Sequence, residues 1–275
     1  MLQEMNKSIL FTVTNDLVFD QRMFRICSSL ARAGYKVTLV GRSHSGSPRL
    51  QDLPYRQVRI PCFFRKGFGF YAEYNLRLFF FLIRQRADII GAIDLDTVLP
   101  CLLTSRLRST KRLYDAHELF CEMKEVSTRP VVHAVWKWIE KLTLPYFNFG
   151  YTVNRPIADE YKNMYGKDFE VIRNLPLRDP VRPLEPDEKK ERYFIYQGAV
   201  NEGRCFETLI PAFRWVEAKL IICGDGNFMR EARKLVADNH LEEKVIFKGM
   251  IEPGKLREFT RNAWAGITLF ERAGK

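Results

Sequence analysis

Three short stretches carry side chains whose types and spacing could do chemistry. The first is "YQGAVNEGRCFETL" (Tyr196 to Leu209): Gly198, a short polar turn, then Gly203 and Arg204 ahead of a helix-like pattern beginning near Cys205. Amides at a helix N-terminus attract anions, and an arginine beside them adds bidentate phosphate recognition. The second is "IICGDGNFM" (Ile221 to Met229), where Gly224 and Gly226 stand between a strand pattern and a helix pattern. Neither is a complete nucleotide motif. In the first, Arg204 and Cys205 replace the Lys-Ser/Thr of a P-loop, and in the second Met229 takes the place of a third dinucleotide glycine. Either alone reads equally as a plain turn, but two on adjacent strand ends point to a nucleotide cleft.

The third stretch is "YDAHELF" (Tyr114 to Phe120), with Asp115, His117 and Glu118 at a strand end. A histidine there can hydrogen-bond a sugar hydroxyl or a phosphate and can change charge near neutral pH. It can equally be a satisfied structural residue. After the first strand, "TNDLVFDQR" offers Thr14, Asn15, Asp16 and Asp20 to a substrate, although Asp20 also stands where the next helix needs a cap. In "YTVNRP", Asn154 stands one residue before Arg155 and Pro156, and capping is its favoured role.

These stretches need a frame that gathers strand ends, and the pattern supplies one. Short apolar runs ("SILFTV", "KVTLV", "YRQVRI", "ADIIGA", "KRLYD", "GYTV", "EVI") alternate with helix candidates, among them 71–86, 96–106, 131–147 and 155–165. That alternation predicts parallel sheets covered on both faces, with ligands at the carboxyl ends of the strands. It breaks at "NLPLRDPVRPLEPDEKKER", which has four prolines and a charge cluster, and then restarts through "YFIYQG", helix 205–213, "AKLIICG", helix 227–239, "KVIFKG", helix 254–262 and "AGITLF". The expected domains are 1–173, a Pro-rich linker 174–192, and 193–275, the last falling short of the five or six strands of a doubly wound unit.

Composition narrows the classes. Six scattered cysteines without a C-x-x-C pair argue against a zinc site or disulfide framework and fit a reducing cytosol. The metalloprotease H-E-x-x-H and the hydrolase G-x-S-x-G are absent, so no metal site is assigned. The net charge of +11 is uneven: 26 Lys and Arg against 17 Asp and Glu in residues 1–176 leaves +9, and 18 against 16 in 177–275 leaves +2. Within 42–86 there are 9 basic and 2 acidic residues. A basic field of this kind is either a solubilising surface or a site for an anionic partner. The basic, aromatic stretch 59–81 is the candidate for contact with an anionic membrane. The charge is not interleaved with a nucleic-acid reading motif, so nucleic acid is not an expected partner.

Taken in order, the motifs resemble the GT-B glycosyltransferases, in particular the retaining family 4 (glycosyl transferases group 1), along nearly the whole chain. "ILFTVTND…RICSSLARAGYKVTLVGR" is similar to that family's opening unit. "DIIGAIDLDTVLP" with "KRLYDAHELF" resembles its mid-domain strand pair, and "YTVNRPIADEYKNMYG…VIRNLP" the approach to the crossover. "YQGAVNEGRCFETLI", "LIICGDGNF" and "VIFKGMIEPGKLREFTRNAWAGITLF" keep the family's order in the second half.

The resemblance implies an α/β fold of two facing Rossmann-like domains, the second incomplete here. It implies transfer of a sugar from a UDP- or GDP-sugar co-substrate with retention, no required metal and no other cofactor. It puts the donor on Gly198, Arg204, Gly224 and Gly226, the catalytic histidine at His117, and a glycan or lipid-linked acceptor near Asp16, Asp20 and Glu118. The family's phosphate arginine falls on Ala199 here, its lysine on Arg204 and the following glycine on Cys205. A glutamate pair of the donor site would fall beyond Lys275, so Glu271 is not assigned. The implied setting is the cytoplasm, at the inner membrane face, in polysaccharide or glycolipid assembly. A GT-B-shaped epimerase or phosphorylase, or an inactive anion-binding scaffold, remain the alternatives.

Overall fold

The computed structural model describes residues 7–43, 45–175 and 193–271. Most of the expected linker, 176–192, therefore lies outside the described residues. The chain separates into two compact units, Met1–Pro176 and Leu177–Lys275.

The first unit runs β1 (Ser8–Thr12), α1 (Gln21–Arg32), β2 (Lys36–Ser43), β3 (Arg56–Pro61), α2 (Gly67–Arg84), β4 (Ile89–Ile93), α3 (Val98–Leu107), β5 (Lys111–Ala116), α4 (Lys124–Ser127), α5 (Pro130–Thr143), β6 (Phe149–Thr152), α6 (Arg155–Tyr165) and β7 (Glu170–Val171). Its seven strands are parallel in the order β3-β2-β1-β4-β5-β6-β7. Strand order reverses between β1 and β4, the point where such sheets open a crevice at their carboxyl ends. One core joins α2, α3, α5 and α6 to a sheet face through Tyr74, Leu78, Cys101, Tyr114 and Tyr161. The other face packs Phe11, Val37 and Leu39 against Met23 and Cys27 of α1. This division follows from right-handed crossovers that run one way from β1 to β2 and the other way from β3 through β7.

Three element boundaries differ from the sequence expectation. α2 begins at Gly67, not residue 71, although Gly67 and Gly69 are weak helix formers. The carboxylate of Glu73 accepts from the amides of Phe63 and Phe64, which fixes the chain entering the helix. α5 stops at Thr143 and gives way to a 3-10 turn over 144–146, because Pro145 cannot continue the helix. In the second unit, "AGITLF" pairs over two residues only.

That unit runs β8 (Tyr193–Gln197), α7 (Phe206–Ala212), β9 (Lys219–Cys223), α8 (Met229–Asp238), β10 (Val245–Gly249), α9 (Pro253–Asn262) and β11 (Ala265–Gly266). The described strands are parallel in the order β10-β9-β8-β11. Val200, Phe206, Ile210, Leu220, Ile222 and Ala232 form its core.

α2 buries Phe70, Tyr74, Leu78 and Leu82 at four-residue spacing and leaves Leu76 on its outer side. Leu78→Ala is therefore expected to cost about 2–5 kcal/mol in urea unfolding. Leu76→Ala should stay within about 0.5 kcal/mol of the parent. Similar losses at both positions would refute the assigned helix face.

Candidate active site

The first unit gathers titratable groups at the carboxyl ends of β4 and β5. Asp94 follows β4, and its amide donates to the carbonyl of Asp115 at 2.9 Å. Its backbone lies at φ 56°, ψ 178°, a region that glycine alone occupies easily. The Asp94 carboxylate meets Nδ1 of His117 at 2.7 Å. Burial by itself would lower the His117 pKa, but the hydrogen bond and charge of Asp94, with help from Glu118 and against Arg22, raise it to about 9.

His117 is consequently an imidazolium at neutral pH, with Nε2–H left to donate to a phosphate or hydroxyl oxygen. A ring in that state can stabilise negative charge, whereas a general base would need the neutral ring. Asp96, buried beside it, accepts from the Thr14 hydroxyl at 2.5 Å. Burial, then the charge of Asp94, pushes the Asp96 carboxyl up to about 7.

Asp115, fully buried, takes a bidentate grip from Arg22 of α1 at 2.6 and 2.9 Å. Burial pushes its carboxyl up against the pull of that guanidinium.

The expected acceptor residues fare differently. Asp16 is buried, accepting from the Val18 amide and from Arg59 at 2.5 Å, so it fixes the β1 turn to β3. Asp20 caps α1 by accepting from the Met23 amide. Both carboxylates thus have folding roles in this structure. Glu118 stands exposed next to His117. Asn154 caps α6 through the Ile157 amide. Asp94, Asp96 and Arg22 were not singled out from the sequence. Their one signal was two acids in "AIDLDT" directly after a strand.

In the second unit, Gly198, Gly203 and Arg204 follow β8, and Gly224 and Gly226 follow β9. The two turns are stitched together. The Val200 amide donates to the Asp225 carbonyl, the Phe228 amide to the Val200 carbonyl, and the Glu202 amide to the Asn227 side chain. A Cβ on Gly224 would stand 1.8 Å from the Gly198 carbonyl oxygen, and one on Gly226 2.3 Å from that of Val200. These glycines are needed for backbone-to-backbone approach. The amides of Gly198 and Gly224 are also taken, by the carbonyls of Cys223 and Gly249. The amides of Gly198, Val200, Glu202 and Gly224 in the expected cradle are therefore spent inside the protein.

The expected helix N-terminus is short too: α7 has seven residues and is entered through Cys205 at a left-handed φ of 55°. Arg204 remains, its guanidinium lying over the Phe270 ring at 4.1 Å. That stacking holds the planar fork while leaving its edge for a phosphate.

A family model described as Glycosyltransferase Family 4 matches residues 21–175, more than half of the chain. No curated protein sequence matches. Among solved structures, the chain is similar to the sucrose-phosphate synthase of Thermosynechococcus elongatus, with TM-score 0.70 and 16% identity over 94% of this chain and 74% of that one. It is also similar to Anabaena HepE in complex with UDP-glucose, with TM-score 0.59 and 13% identity over 89% and 69% of the two chains. A putative UDP-N-acetylglucosamine 2-epimerase from Listeria monocytogenes gives TM-score 0.58 and 10% identity over 95% and 73%. These likenesses identify the fold as GT-B.

Asp94→Asn should lower the His117 titration, followed by imidazole nitrogen shifts, from about 9 toward its ordinary 6.5, because burial is then opposed only by the charge of Glu118. Since the folded value lies above the unfolded one, the pair's stabilisation is complete below pH 6.5 and is lost as pH rises through about 9. Melting temperature should fall across that window in the parent but not in Asp94→Asn.

Gly224→Ala should destabilise the second unit by about 1–3 kcal/mol through the clash with Gly198. Gly254→Ala, within α9 where a Cβ meets nothing, serves as the control that should lose no stability and gain up to about 1 kcal/mol in the same denaturation series.

Proposed function

The chain belongs to glycosyltransferase family 4, and we propose that it transfers a sugar from a UDP- or GDP-sugar to a glycan or lipid-linked acceptor. The observation that carries the reading is the His117–Asp94 pair, 2.7 Å apart at the carboxyl edge of the first GT-B sheet. A nucleotide-sugar reaction develops negative charge on the leaving diphosphate and shifts hydrogen bonds at the sugar hydroxyls. A fixed N–H donor at the site lowers the cost of both.

On this reading the second unit holds the donor, with Arg204 meeting the diphosphate as a bidentate cation. Retention and independence from metal follow from the family resemblance. The acceptor sits on the first unit beside His117 and Glu118, and exclusion of water protects the donor from hydrolysis. Six free thiols suit a reducing compartment, and we place the reaction in the cytoplasm, in glycan or glycolipid assembly.

The likeness to an epimerase keeps one other reading open, and the two differ in what they release. A transferase frees nucleoside diphosphate from its nucleotide-sugar only when acceptor is supplied. Release of the same product without acceptor, or interconversion of the sugar, would overturn the proposal. Arg204→Ala should weaken binding of UDP or GDP by about tenfold or more, while binding of the bare nucleoside changes little. Equal losses for both, read by calorimetry, would remove Arg204 from the phosphate site.

A further inference from the structure

α2, α3 and α5 cover one face of the first sheet, so each has an inner side packed on the core and an outer side in solvent. The outer sides are apolar. On α2, Phe68, Ala72, Leu76 and Phe80 recur at every fourth residue along the exposed side, and Leu76 is 59% exposed. α3 adds Leu103 and Leu107, and α5 adds Val135, Trp138 and Leu142, with Trp138 62% exposed. A soluble monomer seldom shows so much large apolar side chain on one layer, and such surfaces mark sites of contact.

The exposed charges on these three helices and at their immediate ends have one sign. The three helices contain two acids, Glu73 and Glu140. Glu73 is 11% exposed and bonded to Arg77, and Glu140 is 2% exposed and paired with Lys137 at 2.6 Å. Lys66, Arg84, Arg106, Arg108, Arg129 and Lys141, on the helices or their ends, are exposed. Glu122, 4.0 Å from Lys137, and the exposed Glu125 of α4 are acids beside α5, so the cations are in excess and not alone. Apolar side chains with such an excess complement an anionic lipid surface, where the apolar groups enter the headgroup boundary and the cations meet lipid phosphates. A second copy of the chain would bring like charges face to face. No helix among the described residues is long and apolar enough to cross a membrane.

We propose that the outer face of α2, α3 and α5 docks on an anionic membrane. The sequence pattern alone places such contact on 59–81. Ile60, Phe70, Tyr74 and Leu78 of that stretch are buried, so only its outward residues can take part, and α3 and α5 carry the surface further. The inference rests on the glycosyltransferase reading only for what the membrane offers, a lipid-linked acceptor. Docking needs no donor and no transfer.

The test is co-sedimentation of the full chain, without substrates, with phosphatidylcholine vesicles that contain or lack phosphatidylglycerol. Binding is expected with phosphatidylglycerol, weakening as salt is raised, and about tenfold less without it. Trp138→Glu on α5 and Leu76→Glu on α2 should each lower binding about tenfold with unchanged melting temperature. Parent-like binding by Trp138→Glu would overturn the role of α5. Equal binding to both vesicle types would overturn the anionic requirement. Lipid-free self-association that both substitutions abolish would assign the surface to a second copy instead.

Discussion

Asp115 is the residue on which the first unit's carboxyl edge depends. Its side chain has no exposure and takes both terminal nitrogens of Arg22. A buried carboxylate needs such a partner, because an unpaired one costs several kcal/mol. Arg22 comes from α1, which covers one face of the sheet, so the pair ties that helix to β5. The main chain of the same residue has a separate role. Its carbonyl accepts the Asp94 amide and pins Asp94 in a conformation costing about 1–3 kcal/mol. Two residues beyond Asp115, His117 receives the carboxylate that this conformation presents. One strand end thus sets helix position, backbone strain and imidazole charge together.

The second unit meets a different constraint. Its two strand-end turns come so close that a single Cβ at Gly224 would overlap a carbonyl oxygen. Glycines in such turns are easily read as room for phosphates. Here Gly224 and Gly226 are room for the facing turn, and the amides of Gly198 and Gly224 are taken by the carbonyls of Cys223 and Gly249. With those amides taken, side-chain charge such as that of Arg204 gains weight for an anion arriving at this edge.

Much of the architecture was legible because its cause is local. The alternation of apolar strand and amphipathic helix placed every described strand near its observed position, and Asn154 and Asp20 as caps followed from residue type. Boundaries failed for more than one reason: the α2 start is held by Glu73 reaching back to Phe63 and Phe64, whereas the α5 end is set by Pro145 within the expected helix. In the site, His117 was legible from its strand-end place. Asp94 was not, since its meaning lies in the register that sets Ile93 opposite Asp115 and in a positive φ that no aspartate announces. The ion pair of Asp16 was hidden for the same reason, because Arg59 lies 43 residues away and only the fold brings it near.

The outer helical face shows how one charge pattern can meet two demands. Large apolar side chains in solvent invite association of copies, and that is a liability in any soluble state. Confining the acids of these helices to inward ion pairs leaves the exposed charges of the helices themselves positive. Copies then repel one another across the face that would otherwise join them, while an anionic surface is attracted by the same charges. Neutralising Glu73 and Glu140 within their own helices also keeps this selectivity local. The excess of +9 in residues 1–176 need not be spread evenly to act, because screening limits its reach to about 8–10 Å at physiological salt. What matters is the sign of the charges standing within that distance of Trp138 and Leu76, and on the helices that carry them the exposed charges are positive.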